Sequence, residues 1–338
     1  MSVKDSLWSR RAALGALGSV AALGRFLPSV AADGGGKRNI IDVHAHFQPP
    51  AIRSLNLPGP MNAWDLPKQI DDMDAAGVSR ALLSVTTPGV PAAGDVGRRI
   101  ARESNEYAAR LATDHGRRFG SFVCLPMDDV DAALQELAYG LDVLHAQGVG
   151  LFTSYSGRWL GDAHFDPLFE ELERRRAIVY VHPTSAACCA RLMPEIADTL
   201  IEYGTDTTRA IASYVYRGAA RRFPNVRMIW SHSAGTMPYL IERFDGADRG
   251  DAARAQAPDG FRASVGRFWY DIAQASNPVA TRALRAVVPV ERIVFGTDYP
   301  FRTSLEHVRG LEGGKVFDRA ELAGIYRTHI AHSLPGLI

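Results

Sequence analysis

A cysteine framework, long apolar runs and an excess of either charge are all missing from this 338-residue chain. Only Cys124, Cys188 and Cys189 occur, too few for a disulfide scaffold. Adjacent cysteines close a strained ring if they pair, so Cys188 and Cys189 are expected as packed or free thiols. Lys and Arg number 38 against 37 Asp and Glu. With no basic block and no interleaved basic and aromatic stripe, nothing supports an electrostatic grip on nucleic acid. The weakly apolar stretch from Ala12 to Gly24 is thirteen residues long and is interrupted by Arg25, which is too short for a stable membrane anchor. Repeats and low-complexity tracts are also lacking. A small, near-neutral substrate is the partner that remains.

What the chain does have is 46% hydrophobic and 22% charged residues, enough to bury a full core as one large barrel or two ordinary domains. Its amino terminus reads SRRAALGALGSVAALGRFLPSVAADGGG. Arg10 and Arg11 precede the Gly/Ala-rich stretch, and Ser29-Val30-Ala31-Ala32 follows Pro28. This pattern resembles a twin-arginine export signal over residues 1–32, cleaved near Ala31 or Ala32, with 33–38 as a linker. A periplasmic protein is the expectation; a short helix of a cytoplasmic protein is the alternative. Removing 1–32 takes away Lys4, Arg10, Arg11 and Arg25 against Asp5, so the formal charge goes from +1 to −2.

Strand-like runs are predicted at 39–45, 79–85, 118–125, 149–155, 177–183, 226–232, 269–275 and 292–298. Helical spacing fills the gaps, as where Val130, Leu134, Leu137, Leu141 and Leu144 recur every three or four residues and form a stripe that packs on a sheet. Further helices are expected at 66–76, 98–114, 166–176, 207–222, 237–245, 278–287 and 318–331. Alternation of this kind predicts an α/β fold, a (β/α)8 TIM barrel over 39–338. Long connections after the first and fifth strands are where a substrate pocket would be built.

The first strand ends in IIDVHAHF. Side chains alternate along a strand, so His44 and His46 share a face with Cα atoms about 7 Å apart, and both can reach one cation. Asp42 has the same parity. His182 ends the fifth strand, His232 the sixth and Asp298 the eighth; in a barrel these ends open at one mouth. His115, His145, His164, His307, His329 and His332 are read as surface or structural residues.

The segments IDVHAHF, AIVYVHPT, MIWSHSAGTMPYLIER and VFGTDYPF together resemble the amidohydrolase superfamily. Within it they are similar to the metal-dependent decarboxylase branch that holds the aminocarboxymuconate-semialdehyde and 6-methylsalicylate decarboxylases. That resemblance implies one divalent metal per chain, held by His44, His46, His182 and Asp298. Zn²⁺ suits three nitrogens and one oxygen, with Mn²⁺ as the alternative. The fourth strand, VGLFTSYSG, lacks the lysine or carboxylate that bridges two metals in binuclear relatives. The resemblance further implies catalytic roles for Asp298 as proton donor and His232 as general acid or base. Arg243 would bind the substrate carboxylate across a homodimer interface. The implied reaction is non-oxidative decarboxylation of a small aromatic or unsaturated carboxylic acid. Hydrolysis of a lactone, amide or ester is the second reading, and an exported binding module without turnover the third. Asp206 and Arg209 are expected to cap and pair within a helix, and Trp64 and Trp159 to pack locally.

Overall fold

The computed structural model describes residues 38–57 and 59–338; the expected export segment 1–32 and residues 33–37 lie outside the described residues. Eight strands form one parallel sheet in sequential order: β1 (Ile40–His46), β2 (Val78–Ser84), β3 (Phe119–Val123), β4 (Gly148–Phe152), β5 (Ile178–His182), β6 (Arg227–Trp230), β7 (Trp269–Asp271) and β8 (Ile293–Val294). Backbone bonds join the last strand to the first: Val43 N–H donates to Phe295 O at 3.0 Å and His46 N–H to Tyr299 O at 2.8 Å. The predicted barrel is therefore observed. Every residue of β1 and β5 is buried, as apolar runs covered on both faces require.

Helices pack outside in alternation. The first of them, α1 (Leu66–Ala76), starts at Asp65, whose carboxylate accepts the Lys68 N–H, and stops at Gly77, where φ is 81°; both are ordinary terminus signals. Then follow α2 (Gly94–Asp114), α3 (Val130–Ala138), α4 (Asp166–Arg175), α5 (Asp198–Tyr216), α6 (Ile241–Ala247), α7 (Pro278–Arg285) and α8 (Ser304–Gly314).

Three expectations need correction. Helix α5 begins nine residues before the predicted 207, so Asp206 lies inside the helix and caps nothing. Its carboxylate is taken by Trp159 Nε1–H at 2.6 Å and by the Thr153 hydroxyl, while Arg209 reaches it only at 3.9 Å. Asp206 thus ties α5 to the short hairpin Ser154–Tyr155/Arg158–Trp159. Helix α8 was not predicted, although Thr303 and Glu306 form a reciprocal capping box at its start. Finally, Cys188 and Cys189 are joined as a disulfide. A tight turn, with Cys189 N–H on Ala186 O at 2.8 Å, brings together two sulfurs that an extended backbone would send to opposite sides.

Candidate active site

The three histidines predicted as ligands are oriented in one way. His44 Nδ1 lies 2.9 Å from Asp271 Oδ2, His46 Nδ1 3.2 Å from the Ser84 carbonyl and His182 Nδ1 2.8 Å from the Pro183 carbonyl. Each Nδ1–H donates to an oxygen, which fixes the tautomer and leaves an Nε2 lone pair to point into the mouth. Those lone pairs converge. His44 Nε2 is 3.1 Å from His46 Nε2, and Asp298 Oδ1 is 3.1 Å and 2.9 Å from the same two atoms. Ligand atoms of His44, His46, His182 and Asp298 all lie within 4.8 Å of one another, and all four residues are buried.

Asp298 Oδ1 is buried without an aligned hydrogen bond, because acceptors face it. Lone pairs arranged against lone pairs are unfavourable unless a cation sits among them, and nitrogen with carboxylate oxygen suits a divalent transition metal. The donor set therefore fits the metal that the sequence implies.

The electrostatics agree. Burial opposes ionisation of Asp298, but the nearby histidines, His44 first among them, outweigh it and hold the carboxyl well below its ordinary range. Asp271 is likewise buried yet kept below the usual carboxylate value, chiefly by His44. Two ionised carboxylates inside a barrel demand positive charge. Without a metal, His44 meets that demand: burial lowers its affinity for a proton, but Asp271 and Asp298 lift it to about 10. His182 goes the other way, held well below the usual histidine value by burial and by the rings of His46, His44 and His232.

His232 joins the cluster from a tight turn. His232, Ser233 and Ala234 all adopt positive φ, at 53°, 53° and 66°, a left-handed conformation that costs non-glycine residues roughly 1–2 kcal/mol each. Gln274 and Asp298 share it, at 55° and 63°. Strain gathered at three strand ends around one mouth marks a functional site. Its result is that His232 Nε2 stands 3.3 Å from Asp298 Oδ2, which also accepts Gln274 Nε2–H at 2.7 Å.

A cavity of about 550 Å³ opens above the cluster, lined by His182, His232 and Asp298 at its floor and by Met61, Tyr203, Thr236 and Phe301 on its walls. The connections after β1 and β5 supply much of that wall, where the pocket was expected. Trp64 donates to Gln69 Oε1 at 2.7 Å and packs locally. Arg243 is exposed on α6 and does not line the cavity of its own chain.

Residues 41–328 match the amidohydrolase family model. The chain belongs to the amidohydrolase family. This amidohydrolase is 34% identical over 304 residues to Decarboxylase yanB of Aspergillus niger, covering 82% of each chain. To the 6-methylsalicylic acid decarboxylase of Penicillium expansum it is 32% identical over 285 residues, covering 77% of this chain and 84% of the other. Among solved structures, 2,6-dihydroxybenzoate decarboxylase from Rhizobium aligns with a TM-score of 0.78 at 21% identity, covering 88% of this chain and 98% of that one. The 5-carboxyvanillate decarboxylase of Novosphingobium aromaticivorans, complexed with manganese, aligns at 0.77 and 18% identity, covering 89% and 97%. At those identities the structural likeness speaks for the fold.

Sequence reasoning about the amidohydrolase missed Asp271 and Gln274. Asp271 serves both sides of the site, since Oδ2 holds His44 while Oδ1 accepts the His232 and Ala273 N–H groups at 2.9 Å and 3.0 Å. Its signal was present: a carboxylate at the end of the seventh strand, like Asp298 after the eighth. Gly296 makes room for the pair, because a Cβ there would come within 2.9 Å of the His44 Cβ and 2.8 Å of the Asp271 Cβ.

Proposed function

We propose that this amidohydrolase is a metal-dependent, non-oxidative decarboxylase of a small aromatic carboxylic acid, of the 6-methylsalicylate type. One observation carries the reading: four ligand atoms converge at the floor of a cavity sized for a ring, and the one carboxylate among them, on Asp298, is already in hydrogen-bond contact with the His232 imidazole. His44, His46, His182 and Asp298 would hold the cation, with Zn²⁺ favoured by the donor set and Mn²⁺ the alternative. When bound, the cation supplies positive charge that orients the acid and stabilises charge developing in the reaction. The chain's own groups do the rest. As the bond to CO₂ breaks, its electron pair stays on the ring carbon, which must gain a proton. Asp298 Oδ2, ionised at rest, would take a proton from His232 Nε2 and pass it to that carbon, with solvent in the cavity returning a proton to His232. Gln274 keeps Oδ2 turned toward the cavity.

Relatives named as decarboxylases favour this reaction over hydrolysis. Arg243 would act in the cavity of a second copy, pairing with the substrate carboxylate through its planar fork, which makes a homodimer the working form. Arg10 and Arg11 direct export, and the mature protein works in the periplasm.

Metal-loaded protein incubated with hydroxybenzoates and, separately, with lactones tests the reading when CO₂ and new carboxylic acid are followed independently. Release of CO₂ from a hydroxybenzoate is expected, and His232→Ala should slow it by about 10²- to 10⁴-fold while metal content stays unchanged. Lactone opening without any CO₂ would overturn decarboxylation.

A further inference from the structure

Of the ten histidines, four stand at the mouth, and of the other six only His307 is buried. It projects from α8, is 2% exposed, and has both ring nitrogens engaged. Nε2 lies 2.9 Å from the Gln274 backbone nitrogen, which can only donate, so Nε2 is the acceptor. Nδ1 then carries the proton and donates to the carbonyl of Thr303, the N-cap of α8, at 2.9 Å. The two bonds together select one neutral tautomer.

The first of these bonds falls on a residue of the site. Gln274 has φ of 55°, a left-handed conformation that glutamine adopts only when its surroundings impose it. From there its side-chain amide donates to Asp298 Oδ2 at 2.7 Å, the oxygen that also faces His232 Nε2 at 3.3 Å. Helix α8 is seated closely on the turn that carries Gln274. One helical turn beyond His307 and on the same face, a Cβ at Gly310 would come within 2.6 Å of Ser276 Oγ and 2.9 Å of the Ser276 carbonyl oxygen. The bare glycine lets the helix approach, and His307 makes the polar contact that the approach permits.

We propose that His307 is a positioning residue for proton transfer: by accepting the Gln274 N–H it holds that residue left-handed, and so keeps the Gln274 amide on Asp298 Oδ2. Its consequence for catalysis rests on the decarboxylase reading above. Neither hydrogen bond of His307 goes to a metal ligand. Without the acceptor, the Gln274 N–H would be unpaired, the turn would relax, and Oδ2 would lose a charge-assisted donor that fixes its direction. Asp298 Oδ1, which faces the ligand nitrogens, is not part of this chain of contacts. Metal binding and proton transfer should therefore separate.

The test uses two substitutions that divide the bonds of His307, made in the zinc-loaded full chain. Asparagine keeps a donor near the Nδ1 position for Thr303 but is too short to reach Gln274; glutamine places an oxygen near the Nε2 position and can accept the Gln274 N–H. His307→Asn and Gln274→Ala should each lower kcat for CO₂ release about 10- to 100-fold, with KM and bound metal little changed. His307→Gln should recover most of that loss. The double variant His307→Asn/Gln274→Ala should be no slower than Gln274→Ala, since both changes act through one contact. Gly310→Ala, which wedges α8 away from the turn, should also lower kcat, and takes the place of His307→Asn if that variant does not fold. Crystal structures of the wild type and His307→Asn give a readout without turnover: the Gln274 amide should lie on Asp298 Oδ2 in the first and off it in the second. The proposal is overturned if the amide stays on Oδ2, if the two single losses add in the double variant, or if His307→Gln is as slow as His307→Asn. An amide displaced in His307→Asn, with no CO₂ released by the wild type from any acid, would remove the decarboxylase reading and keep the positioning. CO₂ release at equal kcat in the wild type and His307→Asn would do the reverse.

Discussion

Asp271 holds His44 by the nitrogen that faces away from the cluster, at 2.9 Å, and with its other oxygen secures the His232 backbone. Carboxylates behind a ligand histidine raise its basicity and fix its ring. Asp271→Asn keeps the shape and removes the charge, so metal affinity is expected to fall about 10- to 100-fold, as read by competition with a chromogenic chelator. Unchanged affinity would mean that Asp271 matters only to the His232 turn. Sequence made His44, His46, His182, His232 and Asp298 legible because each ends an apolar run, and strand parity alone aligns the first two. Gln274 was not legible: its amide reaches Asp298 only because its backbone is left-handed, a conformation that glutamine does not announce.

At the scale of elements, the turn after β6 sets where His232 stands. Gly235, with φ of 61°, lies so close to α5 that a Cβ would overlap the Gly204 carbonyl oxygen. Gly235→Ala is therefore expected to destabilise the chain by about 1–3 kcal/mol and to lower turnover by displacing His232, measured by denaturant melts and steady-state rates. Helix α4 offers a test outside the site. Arg174 and Arg175 hold the Glu171 carboxyl down at about 2, and Arg175 also grips Asp142 at 2.6 Å. A depressed carboxylate value stabilises the fold above the ordinary value of 4.5 and loses that contribution as pH falls toward 2. Glu171→Gln should thus cost at most about 1 kcal/mol at pH 7, given its partial exposure, and the difference from wild type should close between pH 4.5 and 2 in chemical melts. Helix boundaries were the least legible part of the fold. Asp206 looks like a cap until Thr153 and Trp159, some fifty residues away in sequence, are found to hold its carboxylate.

For the molecule as a whole, the ligands come from three strand ends far apart in sequence, so a bound cation ties β1, β5 and the segment after β8 together. Ligands that bind only the folded state stabilise it by mass action, about 2.7 kcal/mol at a hundredfold excess over Kd. Adding Zn²⁺ to chelator-treated protein should raise Tm, and Asp298→Asn should lose most of that rise; a Tm indifferent to metal in the native chain would count against the site. Alternating apolar runs and helical stripes determined the barrel from sequence, since burial on both faces and on one face leave different periods. The same regularity placed five chemical groups at strand ends. Only the tertiary structure decided which oxygen fixes each imidazole, which residues adopt left-handed backbone and which side chains line the cavity at the mouth. Those features depend on contacts between segments whose separation along the chain carries no local signal, and on conformations that nearly every residue type avoids unless its surroundings impose them.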